Sequence, residues 1–263
     1  MKQKPTGTRE WAVQNINFVK GCPHNCRYCY ARANALRFGQ IKRPEQWQNW
    51  SFDPKKVKRR FNKREGNLMF PSTHDIIPEV LEPAIDLLRR MLEPGNRVII
   101  VTKPHLGCVT KICHQLEEYK EQILWRFTIG SIDNEVLSFW EPGAPNWGER
   151  HVSLMYAFKQ GFHTSVSAEP FLDHRVRELV DSVEDLVTDA IWIGPMNKME
   201  QRGDRKGWGH SEEVFWRLVK ESQTKEEIQR LYNDLKDHPK VKWKNSIKEM
   251  LGLPMAEEIG KDE

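Results

Sequence analysis

The stretch "KGCPHNCRYCYAR", residues 20–32, places Cys22, Cys26 and Cys29 in one short loop at spacings of four and three. The chain has five cysteines, an odd number that argues against a disulfide framework. Met1 to Glu10 is polar and shows no apolar leader segment, and no apolar run reaches the roughly 18 residues of a membrane span. A cytoplasmic protein with reduced thiols and no membrane association is therefore expected. Clustered thiols in that setting are ligands or catalysts. Thiolates hold zinc or an iron–sulfur cluster. Structural zinc takes four ligands, and His24 would complete such a set only by straining the loop. Three thiolates on a four-iron cube leave one iron open to a further ligand.

Outward from the loop, short β-branched runs alternate with amphipathic stretches. The apolar run Ile16 to Val19 precedes the cysteines. Leu68–Phe70, Arg97–Lys103, Trp125–Ser131, His163–Pro170, Asp189–Asn197 and Lys240–Lys244 read as strands. Ala31–Phe38, Asp53–Lys63, Pro78–Met91, Leu106–Tyr119, Trp147–Gln160, Val176–Leu186, two stretches within Ser211–Lys236, and Ser246–Leu251 read as helices. Strand and helix in regular alternation predict an α/β fold, a partial (β/α) barrel of parallel strands joined by helical crossovers. No repeat, low-complexity segment or composition shift divides the chain. One domain over 1–263 is expected, with a core at about 11–197 and an extension at 198–263 that completes or covers the barrel.

Parallel α/β folds gather their chemistry at the carboxyl ends of the strands. Those ends read as the cysteine loop, Ser72-Thr73-His74-Asp75, Thr102-Lys103, Ser131 with Asp133, Glu169, and Pro195-Met196-Asn197. Such convergence predicts a polar ligand at the barrel mouth. An open iron there suits the amino and carboxylate groups of S-adenosylmethionine, whose sulfonium an electron from the cluster would cleave.

A CxxxCxxC motif after a first strand, with an aromatic residue before the third cysteine, resembles the signature of the radical S-adenosylmethionine superfamily. The wider pattern is similar to the branch around spore photoproduct lyase. It spans about Trp11 to Asn197 and includes "GCPHNCRYCYA", "PSTHD", "VTK", "TIGS" and "EPGAP" at Glu141 to Pro145. The resemblance implies that Cys22, Cys26 and Cys29 ligate a [4Fe-4S] cluster, with Tyr28 packed near it and the adenine. Ser72 and Thr73 would meet the amino group of the methionine moiety, Lys103 its carboxylate, and Ser131 the ribose. Asp75, Glu169 and Asn197 are further cofactor-binding candidates. Tyr30, like Tyr28, matches the lyase and is a catalytic candidate. Where the lyase carries a hydrogen-donating cysteine, this chain has Ser72, whose O–H bond is too strong for that step. Photoproduct repair is therefore disfavoured, and Cys108, near the end of the third strand, becomes the candidate thiol. For Cys108 and Cys113 the competing reading is a small buried apolar residue.

The net charge is +4, from 41 basic and 37 acidic residues. "DPKKVKRRFNKRE" concentrates seven basic residues between Asp53 and Glu65, after Trp47 and Trp50. Charges for phosphates beside rings for stacking suit a nucleic acid; a wet helix face is the plain alternative. The loop "QRGDRKGWGH", 201–210, reads either as a lid with Trp208 stacking on substrate or as an ordinary surface loop. The expected activity is radical hydrogen abstraction from a nucleic acid base or nucleotide, with a peptide or small metabolite as alternative substrate. A flavodoxin or ferredoxin is the expected reducing partner. Non-enzymatic alternatives are an iron–sulfur electron carrier and a zinc-bearing nucleic acid binding protein.

Overall fold

The computed structural model describes residues 5–202 and 207–260. Its strands are β1 (Gln14–Asn15), β2 (Val19–Lys20), β3 (Ser51–Phe52), β4 (Asn67–Phe70), β5 (Arg97–Thr102), β6 (Ile123–Thr128), β7 (His163–Ala168), β8 (Ile191–Ile193) and β9 (Val241–Trp243). Its α-helices are α1 (Tyr30–Arg37), α2 (Pro54–Val57), α3 (Leu81–Leu92), α4 (Leu106–Gln115), α5 (Asn134–Trp140), α6 (Trp147–Lys159), α7 (Val176–Val183), α8 (Met199–Arg202), α9 (His210–Ser222), α10 (Lys225–Leu235) and α11 (Asn245–Leu251). Seven strands form one sheet in the order β1-β4-β5-β6-β7-β8-β9, parallel throughout. The sheet stays open between β1 and β9, so the architecture is the expected partial barrel.

Alternation along the strands sorts side chains into two layers. On β5, Val98 and Ile100 join the large core beneath the helices, while Ile99 and Val101 face inward with Trp11, Met69, Ala190 and Trp192. Helix α3 buries Leu81, Ala84, Ile85, Leu87, Leu88, Met91 and Leu92 along one face, the spacing that puts a helix on a sheet. Below the inner layer, the Arg126 guanidinium sits 4.4 Å from the ring centroid of Trp11 and 5.4 Å from that of Trp192. Asp189 pairs with it at 3.0 Å. This cation, held between two indoles, occupies the interior on the inner face of the sheet.

The structure differs from the sequence expectation in three places. The first sheet strand is Gln14–Asn15, not Ile16–Val19; Val19–Lys20 turns away and pairs antiparallel with Ser51–Phe52. The basic helix expected over Asp53–Lys63 stops at Val57. Lys55 with Arg59, and Lys56 with Arg60, would stack like charges one turn apart, and the one acidic residue of that stretch, Asp53, caps the helix start, its carboxylate accepting from Lys55 N–H at 2.9 Å. Helix α5 was not expected. Asp133 starts it, its carboxylate accepting from the backbone N–H groups of Glu135 and Val136 at 2.8 and 3.4 Å. Among the described residues no helix is long and apolar enough to cross a membrane.

Leu88 is fully buried between α3 and the sheet. Leu88→Ala is expected to lower unfolding stability by about 2–5 kcal/mol, read from urea denaturation followed by circular dichroism.

Candidate active site at the carboxyl ends of the strands

A cavity of about 570 Å³ opens at the carboxyl ends of the strands. Cys22, Cys26 and Cys29 line one side of it. Their loop is tied down at each step. Cys22 N–H donates to the Trp47 carbonyl at 2.8 Å, and Arg27 N–H to the Trp140 carbonyl at 2.8 Å. Asn25 takes the left-handed conformation (φ 47°), which a short amide side chain tolerates. Its side-chain oxygen accepts from Arg32 Nη1 at 3.0 Å. Cys29 begins α1, its sulfur facing the Arg32 N–H at 3.4 Å. Gly143, in the "EPGAP" segment, lies against the loop; a Cβ there would come within 2.3 Å of the Pro23 carbonyl oxygen.

Beneath the loop lies a buried charge network. Tyr28 Oη donates to Glu141 Oε1. Arg150 Nη2 pairs with Glu141 Oε2 at 2.5 Å, and both side chains are fully buried. Lys103 Nζ approaches Glu141 at 3.9 Å. Burial works against the Glu141 charge, but Arg150 and Lys103 hold its pKa below the ordinary range. Burial likewise opposes the Lys103 charge, and Cys26, Glu141 and Asp75 together hold its pKa above the ordinary lysine value. Asp75 accepts from Thr102 Oγ1, from Ile76 N–H at 2.8 Å and from Lys103 N–H at 3.0 Å. His24 lies 3.3 Å from it. His24 and Lys103 outweigh burial and hold the Asp75 pKa well below the ordinary range.

The cavity gathers most of the residues singled out in the sequence. Tyr28, Tyr30, Ser72, Thr73, Asp75, Lys103, Glu169 and Asn197 all line it. Ser72 and Thr73 present their backbone N–H groups to Asn17 Oδ1 at 2.8 and 2.9 Å, and Asn17 Nδ2 donates to Ser72 Oγ at 2.9 Å. Tyr30 Oη donates to the Ser72 carbonyl. Two expectations fail on placement. Ser131 does not reach the cavity: its hydroxyl donates to Asp173 and accepts from Asp133 N–H at 2.8 Å, closing the turn before α5. Thr128 and Ser167 supply hydroxyls to the cavity wall instead. Cys108 is buried in the core on α4, where burial pushes its thiol up to about 12. Cys113 is buried on the same helix.

Sequence reasoning missed the site roles of Asn17, Glu141 and Arg150. Only "EPGAP" drew attention to Glu141; nothing in the spacing marks the other two. His24 is buried, with Nδ1 toward Asp75 and Nε2 3.0 Å from His105 Nε2. His74 is also buried. Its Nε2 accepts from Phe18 N–H at 3.3 Å, and burial lowers its pKa to about 4. Trp208 packs away from the cavity lining: its ring lies 5.5 Å from Phe139, 5.8 Å from Trp216 and 5.8 Å from the Arg27 guanidinium. Gly203, Asp204, Arg205 and Lys206 of the proposed lid lie outside the described residues.

No family model matches the chain. An uncharacterized protein of Acidianus two-tailed virus is 28% identical over 253 residues, spanning 89% of this chain and 82% of that protein. Spore photoproduct lyase complexed with dinucleoside spore photoproduct superposes with a TM-score of 0.52 at 14% identity, covering 92% of this chain and 78% of that one. SuiB of Streptococcus suis bound to S-adenosylmethionine gives 0.54 at 12% identity, covering 94% and 54%. The chain shares the fold of these two structures, a partial barrel of parallel strands. The donor set fits the cluster that this fold implies. Three thiols line one cavity, and both remaining cysteines are buried in the core. His24 Nε2 lies 3.0 Å from His105 Nε2, and its Nδ1 lies 3.3 Å from Asp75 Oδ2. Among the described residues no three His, Cys, Asp or Glu side chains converge on a single ion; a cube takes its thiolates at separate corners. Burial, then Asp75, pushes the Cys22 thiol up to about 12, and burial raises Cys26 as well. Bound metal reverses that preference and holds thiolates.

Because the folded pKa of Glu141 is depressed, its stabilisation is present above the unfolded value of about 4.3 and lost as pH falls toward the folded value. Glu141→Gln is expected to flatten the acid limb of the stability–pH curve, read from melting temperatures between pH 3 and 7.

Proposed function

We propose that this chain is a radical S-adenosylmethionine enzyme. The observation that carries the reading is three cysteine thiols and one buried lysine converging on a single cavity in this fold. Cys22, Cys26 and Cys29 would hold a [4Fe-4S] cluster. When bound, such a cluster supplies the electron that cleaves S-adenosylmethionine to methionine and a 5′-deoxyadenosyl radical, which abstracts hydrogen from substrate. Lys103 offers a cation for the methionine carboxylate, held charged by its anionic neighbours. The hydroxyls of Ser72 and Thr73 sit on a loop that Asn17 fixes. Tyr30, at the rim, bonds that same loop. Asp75 is consumed in holding the loop, Lys103 and His24, which makes it a positioning residue. The barrel wall keeps water from the radical. A flavodoxin or ferredoxin is the proposed reductant, and the cytoplasm the proposed compartment.

Anaerobically reconstituted protein, reduced with dithionite and given S-adenosylmethionine, is expected to release 5′-deoxyadenosine. Cys26→Ala is expected to release none. Iron loading without cleavage or cofactor binding would favour an electron carrier, and zinc in place of iron would overturn the reading.

For the substrate we propose a nucleic acid. Between Gln40 and Gly66 the chain has nine basic residues against three acidic ones. All nine are exposed, and none forms an ion pair among the described residues. The segment joins the site directly, since Lys20, two residues before Cys22, pairs with Ser51 of β3. Half-exposed Phe52 adds a ring at the start of the patch. Unpaired cations beside the mouth are what a phosphate backbone neutralises. Fluorescence anisotropy with labelled single-stranded and duplex oligonucleotides is expected to show binding that weakens with salt. Charge reversal at Lys55, Lys56, Arg59 and Arg60 is expected to weaken it at least about tenfold and to flatten the salt slope. Binding unchanged by that reversal would leave a peptide or small metabolite as the substrate.

A further inference from the structure

A second ion network reaches the cavity through Glu169 and is built from both ends of the chain. Lys244 follows β9 and is 1% exposed. Its ammonium lies 3.0 Å from Glu10 Oε2 and 3.4 Å from Glu169 Oε2. It donates to the Gly7 carbonyl at 3.1 Å and sits 3.7 Å from the Trp11 ring centroid. Gly194 makes room for it: a Cβ there would come within 2.7 Å of Lys244 Cγ and 3.1 Å of Glu169 Cγ. Glu10 is buried and also accepts from Gly7 N–H at 2.7 Å and Asn245 N–H at 3.1 Å. Asn245 Nδ2 reaches the Pro5 carbonyl at 2.7 Å.

Of the two carboxylates on Lys244, only Glu169 lines the cavity. Glu10 is spent on backbone N–H groups. Among the described residues Lys244 is the ion-pair partner of Glu169, and it takes Oε2, which leaves Oε1 as an acceptor. A carboxylate so placed accepts from a hydroxyl or amino group. We propose that Lys244 is a positioning residue for ligand binding: it holds Glu169 aimed into the cavity, where Glu169 accepts from a hydroxyl or amino donor on the adenosyl half of S-adenosylmethionine. The inference rests on the reading under Proposed function. It makes the C-terminal strand, with the N-terminal segment it clamps, part of the ligand site rather than a cover over it.

The test is calorimetric titration of S-adenosylmethionine into anaerobically reconstituted protein, with melting temperature measured in parallel. Glu169→Gln is expected to weaken binding about tenfold or more, the range of a hydrogen bond to a charged acceptor, with the melting temperature little changed. Lys244→Met is expected to weaken binding comparably. The double variant is expected to be no weaker than Lys244→Met alone, because both changes remove one interaction. Lys244→Met leaves two carboxylates without their cation and will lower the melting temperature. Glu10→Gln with Lys244→Met removes that burden; it is expected to recover stability but not affinity. Full recovery of affinity in that variant, additive effects in the cycle, or normal binding by Glu169→Gln would each overturn the inference. Wild-type protein that loads iron yet binds no S-adenosylmethionine overturns the radical enzyme reading itself, and is recognised because the wild type is silent.

Discussion

The architecture of the site depends on one buried carboxylate. Glu141 has no solvent to stabilise its charge, and an isolated ion at such a depth costs several kcal/mol. The charge persists because Arg150, Tyr28 and Lys103 converge on it from α6, the cysteine loop and the end of β5. Arg150 spends its other nitrogens on the carbonyls of Pro145 and Thr128, at 2.7 and 3.2 Å, so the guanidinium cannot shift to another partner. Each partner of Glu141 is thereby fixed as well. Tyr28 lies between Cys26 and Cys29, and the network that compensates one ion also sets the position of the thiol loop.

Two such networks border the cavity. At the thiol side, Lys103 and Arg150 face Glu141 and Asp75, and the lysine ammonium lies at the cavity wall. In the second network Lys244 faces Glu10 and Glu169, and the Glu169 carboxylate lies at the wall. One network offers a cation and the other an anion to a cavity that Ser72, Thr73, Thr128 and Ser167 also line. A ligand with a carboxylate at one end and hydroxyl or amino donors at the other matches that polarity.

Aromatic packing holds the outer side of the thiol loop. Arg27 lies 4.4 Å from the Phe139 ring centroid and donates to the Phe139 carbonyl at 2.6 Å. Phe139 in turn stacks on Phe215 of α9 at 4.6 Å. Two tryptophans serve the loop, Trp208 against Arg27 and Trp47 against Cys22, Ala31 and Ala35. Their role is to immobilise the loop backbone, which a short, polar, glycine- and proline-containing segment cannot do by itself.

The fold and the thiol set were legible in the sequence because both are written in local order. Buried parallel strands appear as short β-branched runs such as "RVIIVT", and the three thiols share one loop. Eight of the ten other site candidates reached the cavity, because strand ends in a parallel sheet point the same way. Ser131 and Cys108 failed because proximity to a strand end does not say which way a side chain turns: Asp173 captured the one and the α4 core the other. The short α2 was missed because helical spacing was weighed without the repulsion among its lysines and arginines. Asn17, Arg150 and Lys244 carry no motif, and Glu141 only the "EPGAP" segment. Each is defined by a partner from 9 to 237 residues away or by a charge that burial forces to find one. Tertiary structure alone decides such pairs, because the cost of burying an ion exists only once the chain has closed around it.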